Sequence, residues 1–366
     1  MIGVRLEDLD TPSLIIELDR MEQNLLTMQN LAHSAGVKLR PHTKTHKMAA
    51  IAHLQLEYGA QGITVSKLSE AEALAEAGIS DIFISSEIVG SQKLARIRSL
   101  AKKTKLRLSA DSIYHVEHLA NFFGEQVPVE LMIEIDTGLH RCGVKPEDAL
   151  KLVGKIVERF PQVKVAGIFT HEGHVYNATD KDHMKQISFD VQSDLIETGK
   201  RIEGKFGIRC EISIGCTLGL LSGSILPGIT EIRPGTYVFY DVVHASYLGH
   251  SNYCAATILS TITSKTGEDR VVADAGAKSM TIDQRTSGVI KTEGYGQIKH
   301  HPDLLIKKLS DEHALITPGI SLNIGDLIEI IPNHVCPTVN LYNKAYGVRN
   351  GKVEKIFIVT ARGCNQ

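Results

Sequence analysis

The chain has 366 residues, more than one hydrophobic core usually serves, and 43% of them are hydrophobic, so we expect a folded protein of two domains. Its 40 basic and 42 acidic residues give a net charge of −2, and it has no tryptophan, which argues against nucleic acid as a partner. Six scattered cysteines without a C-x-x-C, no signal-peptide pattern and no apolar run of bilayer length predict a cytoplasmic protein with reduced thiols and no membrane segment.

Strand and helix patterns alternate along the first two-thirds of the chain. Eight predicted strands alternate with helices, or with a loop before the last strand, at residues 37–39, 62–65, 81–85, 106–110, 129–135, 163–170, 210–214 and 229–239. Alternation of this kind predicts parallel strands with crossover helices. Eight such units favour a closed (β/α)8 TIM barrel of the α/β class over an open sheet.

After about His250 the pattern changes to strands joined by turns. Strands are predicted at residues 255–263, 270–274, 321–331 and 353–360, with a turn at Thr266–Asp269 and one short helix at 302–309. This pattern predicts a second, mostly β domain at the C-terminal side. Because no low-complexity linker separates the two parts, we expect a tight interface between them.

Cations gather where the first barrel strand gives way to a helix, in Arg40-Pro41-His42-Thr43-Lys44-Thr45-His46-Lys47. Pro41 keeps Arg40 extended, and the carboxyl end of a barrel strand is the functional rim. An amine among other cations can be held in its nucleophilic form, so one hypothesis makes Lys44 a Schiff-base lysine. The alternative is an ordinary solvated basic loop, because most lysines lie on the protein surface.

The segment Arg40-Pro41-His42-Thr43-Lys44 resembles the R-P-H-x-K segment of the D-threonine aldolase and D-serine dehydratase family. These are pyridoxal phosphate enzymes of fold type III, with an alanine racemase-like barrel. The resemblance implies that Lys44 carries pyridoxal 5'-phosphate and that the first strand, at 13–18, joins the β domain. We therefore expect a pyridoxal phosphate-binding barrel at residues 20–247 and a β domain formed by residues 1–19 plus 248–366.

Two more strand ends resemble cofactor-contacting segments of these enzymes. Asp136-Thr137-Gly138-Leu139-His140-Arg141-Cys142-Gly143 resembles D-T-G-x-x-R-x-G, which implies that Arg141 faces the phenolic oxygen of the cofactor. The alternative is an arginine in a surface ion pair. Strand six ends at Thr170-His171-Glu172-Gly173-His174, and the resemblance places His171 against the cofactor ring. His171 and His174 could also be a metal pair, an acid–base pair or part of a loop.

The last two barrel strands end in segments suited to a phosphate. Gly215, Cys216 and Thr217 are small residues whose backbone N–H groups can hold an anion, although the family usually has a hydroxyl where Cys216 stands. Arg233-Pro234-Gly235 resembles the R-P-G segment after which the chain contacts phosphate. The resemblance implies phosphate contacts for Gly235, Thr236 and Tyr237, and it places Arg233 at the pyridine nitrogen.

A metal pair is predicted in Pro332-Asn333-His334-Val335-Cys336-Pro337. Alternation in an extended segment would put His334 and Cys336 on one side, and imidazole with thiolate suits zinc. Two ligands alone could equally be a structural pair. The resemblance favours the metal, because the family carries H-x-C or H-x-D here. Zinc is the first choice, with manganese or magnesium as alternatives.

These features predict a lyase acting on D-configured β-hydroxy amino acids, either a D-serine or D-3-hydroxyaspartate dehydratase or a D-threonine aldolase. An amino-acid racemase, a non-catalytic pyridoxal phosphate-binding protein and a purely structural barrel are the alternatives. In the dehydratase Lys44 would remove the α-proton, and in the aldolase His171 would take the hydroxyl proton. We also expect a homodimer. His174, Tyr176, Tyr295 and His313 are polar candidates without an assigned role.

Overall fold

The computed structural model describes residues 1–267 and 269–366 of the chain. It forms two compact units. The barrel unit consists of Gln29–Lys44, Ile51–Gly235 and Cys364–Gln366, and the β unit of Met1–Met28, Thr45–Ala50 and Thr236–Gly363. The predicted turn at Thr266–Asp269 includes Glu268, which lies outside the described residues.

The chain begins with strand β1 (Ser13–Glu17) and helix α1 (Leu18–Ser34), and the barrel strands follow. They are β2 (Lys38–Leu39), β3 (Ile63–Val65), β4 (Asp81–Glu87), β5 (Lys105–Ala110), β6 (Glu130–Glu134), β7 (Lys164–Phe169), β8 (Glu211–Ile214) and β9 (Glu231–Ile232). All eight are parallel, in the order β2-β9-β8-β7-β6-β5-β4-β3. Gln61 N donates to Leu39 O and Thr64 N to Pro41 O, each at 2.8 Å. These bonds join β2 to β3 and close the barrel, which confirms the predicted fold class.

Helices connect the barrel strands. They are α2 (Ala49–Glu57), α3 (Leu68–Glu76), α4 (Ser91–Leu100), α5 (Ile113–Phe123), α6 (Pro146–Arg159), α7 (Lys181–Phe206) and α8 (Thr217–Ser222). Helix α6 shows why they form: proline opens it, Glu147 and Asp148 favour its positive end, and its buried residues recur at helical spacing. Helix α8 lies between β8 and β9, where a loop was predicted.

The β unit contains a nine-stranded sheet, the first part of α1 and two short helices. Its further elements are α9 (Val242–Leu248), β10 (Ala256–Thr266), β11 (Arg270–Ala273), β12 (Gln297–Ile298), β13 (Leu305–Leu309), β14 (Ala314–Thr317), β15 (Leu327–Ile331), α10 (Val335–Val339), β16 (Lys344–Arg349) and β17 (Lys352–Ile358). The strand order is β11-β14-β13-β12-β15-β10-β1-β16-β17, and a further pairing of β11 with β10 closes six strands into a ring. Strand β1 pairs with β10 and β16, so it belongs to this sheet, as the resemblance implied.

Two local predictions are wrong. The predicted helix at 302–309 is instead strand β13, in which Ile306 pairs with Ile316 across a hairpin and both are fully buried. A short apolar run does not distinguish helix from strand, so the pairing partner decides. The predicted strand at 229–239 shortens to β9, because the chain leaves the ladder at Pro234 and enters a 3₁₀ turn at Thr236–Val238.

No helix in the described residues combines the length and apolar character that crossing a bilayer requires.

A buried layer of charge lies where several barrel strands begin. Arg40 Nε donates to Glu231 Oε2 at 2.8 Å, and its Nη1 donates to Asp81 Oδ1 at 2.5 Å. The Arg40 side chain is 1% exposed, and so is that of Glu231. Gly62 leaves room for the guanidinium, since a Cβ there would lie 2.3 Å from Arg40 Nη1. Arg40 is thus a core residue and not part of a solvated loop.

We predict that Arg40→Gln destabilises the protein by about 3 kcal/mol or more, because it removes the directly hydrogen-bonded cation from the buried Glu231 and the part-buried Asp81. Chemical unfolding followed by circular dichroism measures the change. Adding Glu231→Gln to the variant should recover part of the loss, since the worst-placed carboxylate is then gone. Arg201→Gln, which changes an exposed arginine of α7, is the matched control. Equal stability of Arg40→Gln and this control would contradict the role of the charged layer.

Candidate active site

Lys44 lies just beyond the carboxyl end of β2 and is half-buried. Backbone and side-chain bonds to both neighbouring strands fix the segment that carries it. His42 N donates to Pro234 O at 2.9 Å, beyond β9, and Thr43 Oγ1 donates to Thr64 O at 3.1 Å, in β3. The lysine is therefore held at the rim where barrel enzymes carry their chemistry.

Two histidines beside Lys44 are neutral at pH 7. Burial, followed by the charges of Lys44 and Arg233, keeps the pKa of His42 well below its ordinary value. Burial and the charge of Lys44 lower the pKa of His171 to about 3. His42 was not among the predicted site residues, although it stands inside the motif that identified Lys44.

The His171 ring has a defined orientation. Its Nδ1 lies 2.6 Å from Gly215 O, and a carbonyl can only accept, so Nδ1 carries the proton. The lone pair is then on Nε2, which faces Gly173, where a Cβ would lie 3.1 Å away. His171 therefore offers a hydrogen-bond acceptor rather than a charge.

Arg233 is a buried cation held by neutral partners. Its Nη2 donates to Thr170 O at 2.8 Å and its Nη1 to Ser213 Oγ at 2.5 Å. The rings of Phe83 and Phe169 flank the guanidinium at 5.7 and 5.0 Å. Burial lowers its pKa from the usual arginine value. The strand ends around it thus supply acceptors and aromatic faces.

Gly215, Cys216 and Thr217 are buried where β8 ends and α8 begins. Cys216 is extended and directly precedes the helix. Burial raises the pKa of its thiol to about 12, and the thiol is hydrogen-bonded to Tyr176. The Cys216 thiol is therefore neutral at pH 7 and adds no negative charge at the end of β8.

Glu172 is a buried carboxyl group that the predicted site lacks. Within the described part of the chain neither of its oxygens has a hydrogen-bond partner, and its side chain is fully enclosed. Burial raises its pKa to about 8, with Arg233 acting in the opposite direction. Its Oε1 would lie 2.6 Å from a Cβ on Gly219, so a larger residue there would require the Glu172 side chain to move. The signal for this group was its place directly after His171 at the end of β7.

The segment from Asp136 to Gly143 forms a tight turn built on the Asp136 carboxylate. Asp136 Oδ1 accepts from Gly138 N at 3.0 Å and from His140 N at 2.9 Å. The turn presents Arg141, whose side chain is 55% exposed and whose Nη2 lies 3.8 Å from Glu134 Oε1. His174 packs its ring on Gly138, where a Cβ would lie 3.2 Å from His174 Nε2.

Glu134 belongs to a second group that sequence reasoning missed. Glu87, Glu134 and Cys142 each place a ligand atom within 4.8 Å of the others. Burial and a hydrogen bond with Glu87 raise the pKa of Glu134 to about 8. Glu87 and Glu134 are the last residues of β4 and β6, and that position was the signal available in the sequence.

In the β unit, His334 and Cys336 come together at the start of α10. The predicted extended segment is wrong: His334 is extended and precedes the helix, and Cys336 is its second residue. Their side chains are hydrogen-bonded to each other. Cys336 Sγ donates to Thr45 Oγ1 at 3.3 Å, and His334 Nδ1 lies 2.7 Å from Asp283 Oδ2. Partial burial would lower the pKa of His334, but Cys336 and the nearby carboxylates raise it to about 9.

The remaining predicted residues lie as follows. Gly235 is the last residue of the barrel-unit segment Ile51–Gly235. Thr236 belongs to the β unit, where its carbonyl oxygen accepts from Tyr240 N at 2.7 Å. Tyr237 is 1% exposed. Tyr295 packs against the hydrophobic core of the β unit, and His313 is exposed.

Two family models match the chain. The alanine racemase N-terminal domain matches residues 16–242, and the putative serine dehydratase domain matches residues 255–348. The chain is 31% identical to D-threonine aldolase of Arthrobacter sp over 371 residues, which cover 99% of this chain and 95% of that protein. The chain belongs to the D-threonine aldolase and D-serine dehydratase family.

Other members of this family cover nearly the same length. D-threo-3-hydroxyaspartate dehydratase of Delftia sp. (strain HT23) is 30% identical over 90% of this chain and 92% of its own. A cysteine-to-alanine mutant of D-threo-3-hydroxyaspartate dehydratase, solved in its metal-free form, matches with a TM-score of 0.87 at 27% identity. It covers 97% of this chain and 98% of that one.

We predict that Glu172→Gln changes how stability depends on pH. The folded wild-type carboxyl keeps its proton up to about pH 8, whereas an unfolded glutamate loses it at lower pH. Between those values the unfolded state binds fewer protons, so the free energy of unfolding falls as pH rises. The variant lacks this proton. Its stability relative to wild type should therefore rise by about 1.4 kcal/mol per pH unit over about pH 5 to 8.

Urea unfolding at a series of pH values measures this slope. Glu57→Gln, at an exposed glutamate of the barrel unit, is the matched control and should follow wild type. A constant difference between Glu172→Gln and wild type across the range would mean that Glu172 is already ionised.

Proposed function

We propose that the protein is a pyridoxal phosphate- and metal-dependent lyase acting on D-configured β-hydroxy amino acids. The observation that carries the proposal is Lys44 at the carboxyl end of β2, beside neutral imidazoles and the buried Arg233. Related proteins of similar length are a D-threonine aldolase and a D-threo-3-hydroxyaspartate dehydratase. A homodimer is part of the same proposal.

The residues of the barrel unit fit pyridoxal phosphate. Glu172 and Glu134 are buried acids whose pKa of about 8 keeps both largely uncharged at pH 7, so the cations around Lys44 keep a positive excess suited to a phosphate. Gly219 lies where a side chain would collide with Glu172. When bound, the cofactor draws electrons from a breaking bond at the Cα of an amino acid. The residues that we propose hold it are Lys44, Arg141, His171, Gly215, Cys216, Thr217, Arg233, Gly235, Thr236 and Tyr237.

Two residues then move protons. For a dehydratase, Lys44 takes the α-proton of the substrate, and keto acid and ammonia result. For an aldolase, His171 accepts the hydroxyl proton on Nε2, and glycine and an aldehyde result. Nε2 is the atom that can accept, because the Nδ1 proton is engaged by Gly215 O. Arg233 keeps its side chain fixed through Thr170 and Ser213 in either case.

The β unit offers the donors for a divalent metal. His334 and Cys336 are hydrogen-bonded to each other, so their donor atoms already converge, and imidazole with thiolate favours zinc over manganese or magnesium. A metal supplies Lewis acidity at the substrate β-oxygen, which eases loss of hydroxide or formation of an alkoxide. A metal-free form has been distinguished for a related dehydratase, which supports this role.

Product analysis with D-serine, D-threonine and D-3-hydroxyaspartate tests the reaction. We predict keto acid with ammonia, or glycine with aldehyde, and loss of either product after metal chelation. Cys336→Ala should behave like chelated wild type, since it removes one ligand, whereas Cys364→Ala, which changes another part-buried cysteine, should stay active. Racemisation without cleavage, or full turnover by a metal-free preparation, would contradict the proposal.

We predict that Lys44→Arg abolishes the visible absorbance of lysine-bound pyridoxal phosphate, because a guanidinium keeps the charge but forms no imine. Lys47→Arg is the matched control, as the nearest other lysine of the segment, and should keep the band. Borohydride reduction followed by peptide mapping locates the modified lysine. Modification at Lys47 in the wild-type protein would overturn the assignment.

A further inference from the structure

Asp283 is the direct partner of His334. Its Oδ2 lies 2.7 Å from His334 Nδ1, and the two side chains are 55% and 45% exposed. A carboxylate accepts at this distance, so Nδ1 carries a proton and the imidazole presents its other nitrogen, Nε2, away from Asp283. No motif connects the two residues, which are 51 positions apart in the chain.

Two neighbours hold the backbone of Asp283 in this position. Asn333, which directly precedes His334, donates from Nδ2 to Asp283 O at 2.9 Å, and Asp283 N donates to Thr281 Oγ1 at 3.1 Å. Thr281 N in turn donates to Thr338 Oγ1 at 3.1 Å, and that hydroxyl donates to His334 O at 3.0 Å. Asp283 and His334 thus belong to one connected set of hydrogen bonds that includes α10.

This arrangement is more ordered than an exposed ion pair requires. A surface pair between two half-exposed side chains contributes little to stability and needs no backbone support. Here the backbone of Asp283 is bonded on both sides, to Thr281 and to Asn333. Asn333 is itself 1% exposed, and its other Nδ2 bond goes to Gly294 O at 2.9 Å.

We propose that Asp283 is a positioning residue for the metal ligand His334: it retains the Nδ1 proton and directs Nε2 toward a divalent cation shared with Cys336. The inference rests on the proposed metal pair and extends it. A carboxylate on the second nitrogen of a metal-binding imidazole fixes the tautomer and ring orientation and makes the ligand more basic. Any proton that the metal displaces from this ring then comes from Nε2.

Direct metal titration tests the proposal. Metal-free protein is titrated with Co²⁺, whose thiolate charge-transfer absorbance reports ligation by Cys336, and with Zn²⁺ in competition with a chromophoric chelator. We expect Asp283→Ala to weaken both affinities by about 10- to 100-fold. Asp283→Asn should fall between Ala and wild type, because its amide oxygen can still accept the Nδ1 proton.

Asp303→Asn, at an exposed aspartate of the same unit, is the matched control and should bind as wild type does. At saturating Co²⁺ the Asp283 variants should regain the wild-type spectrum, which separates a misdirected ligand from an unfolded site. If Asp283→Ala fails to fold, Asp283→Asn and its intermediate affinity carry the test.

The two proposals fail differently. Wild-type protein without thiolate absorbance on Co²⁺ addition would end the metal assignment and the role of Asp283 with it. Wild-type binding with unchanged affinity in Asp283→Ala would overturn the role of Asp283 alone. If saturating Co²⁺ does not restore the thiolate absorbance of the Asp283 variants, Asp283 has a purely structural function.

Discussion

The barrel depends on the buried cation of Arg40. Its guanidinium joins Asp81 and Glu231, the first residues of β4 and β9, while Glu130 and Glu211, which begin β6 and β8, pair with Arg107. A charge this deep is stable only with its partners in place, so the layer ties the residue after β2 to the first residues of β4 and β9. Lys44 lies in the same short segment as Arg40. The ion pairs of Arg40 therefore also restrain the start of the segment that carries Lys44. Stability is thus concentrated where strands begin, and chemistry where they end.

At the carboxyl ends of the strands, in contrast, buried ionisable side chains lose their charge instead of forming ion pairs. Burial raises the pKa of Glu134 and of Glu172 to about 8, and it lowers the pKa of His171 to about 3. These shifts remove negative charge from the acids and positive charge from the imidazole. The remaining cations, Lys44 and Arg233, define the local field. Burial is the largest cause of these shifts, with Glu87 acting on Glu134 and the charge of Lys44 acting on His171. Because they arise from packing, the composition gave no sign of them.

Sequence patterns predicted what depends on local order. The eight strands followed from alternation, and Lys44 from a motif at a strand end. The place of Glu172 at the end of β7 was visible in the sequence, but its burial was not, because only the folded packing around Gly219 encloses it. The short helix α10 was missed because five residues give too little periodicity, and β13 because its pairing with β14 lies beyond the local pattern. Asp283 is 51 residues from His334, so only folding relates them.

The geometry of the ligand pair is set by a buried carboxylate rather than by the ligands themselves. Asp241 Oδ1 accepts from His244 N at 3.2 Å and so starts α9, while its Oδ2 accepts from Val335 N at 3.1 Å, the first residue of α10. The Asp241 side chain therefore fixes the start of α10, the helix that carries Cys336. It also orders Val335, the residue that follows His334. Since preorganised ligands lose little conformational entropy on binding, the proposed metal affinity would depend on Asp241 and Asp283 as well as on the two donors. A histidine and a cysteine alone would not specify a metal site, and the hydrogen bonds of Asp283 and Asp241 are what distinguishes this pair from two ligands placed by chance.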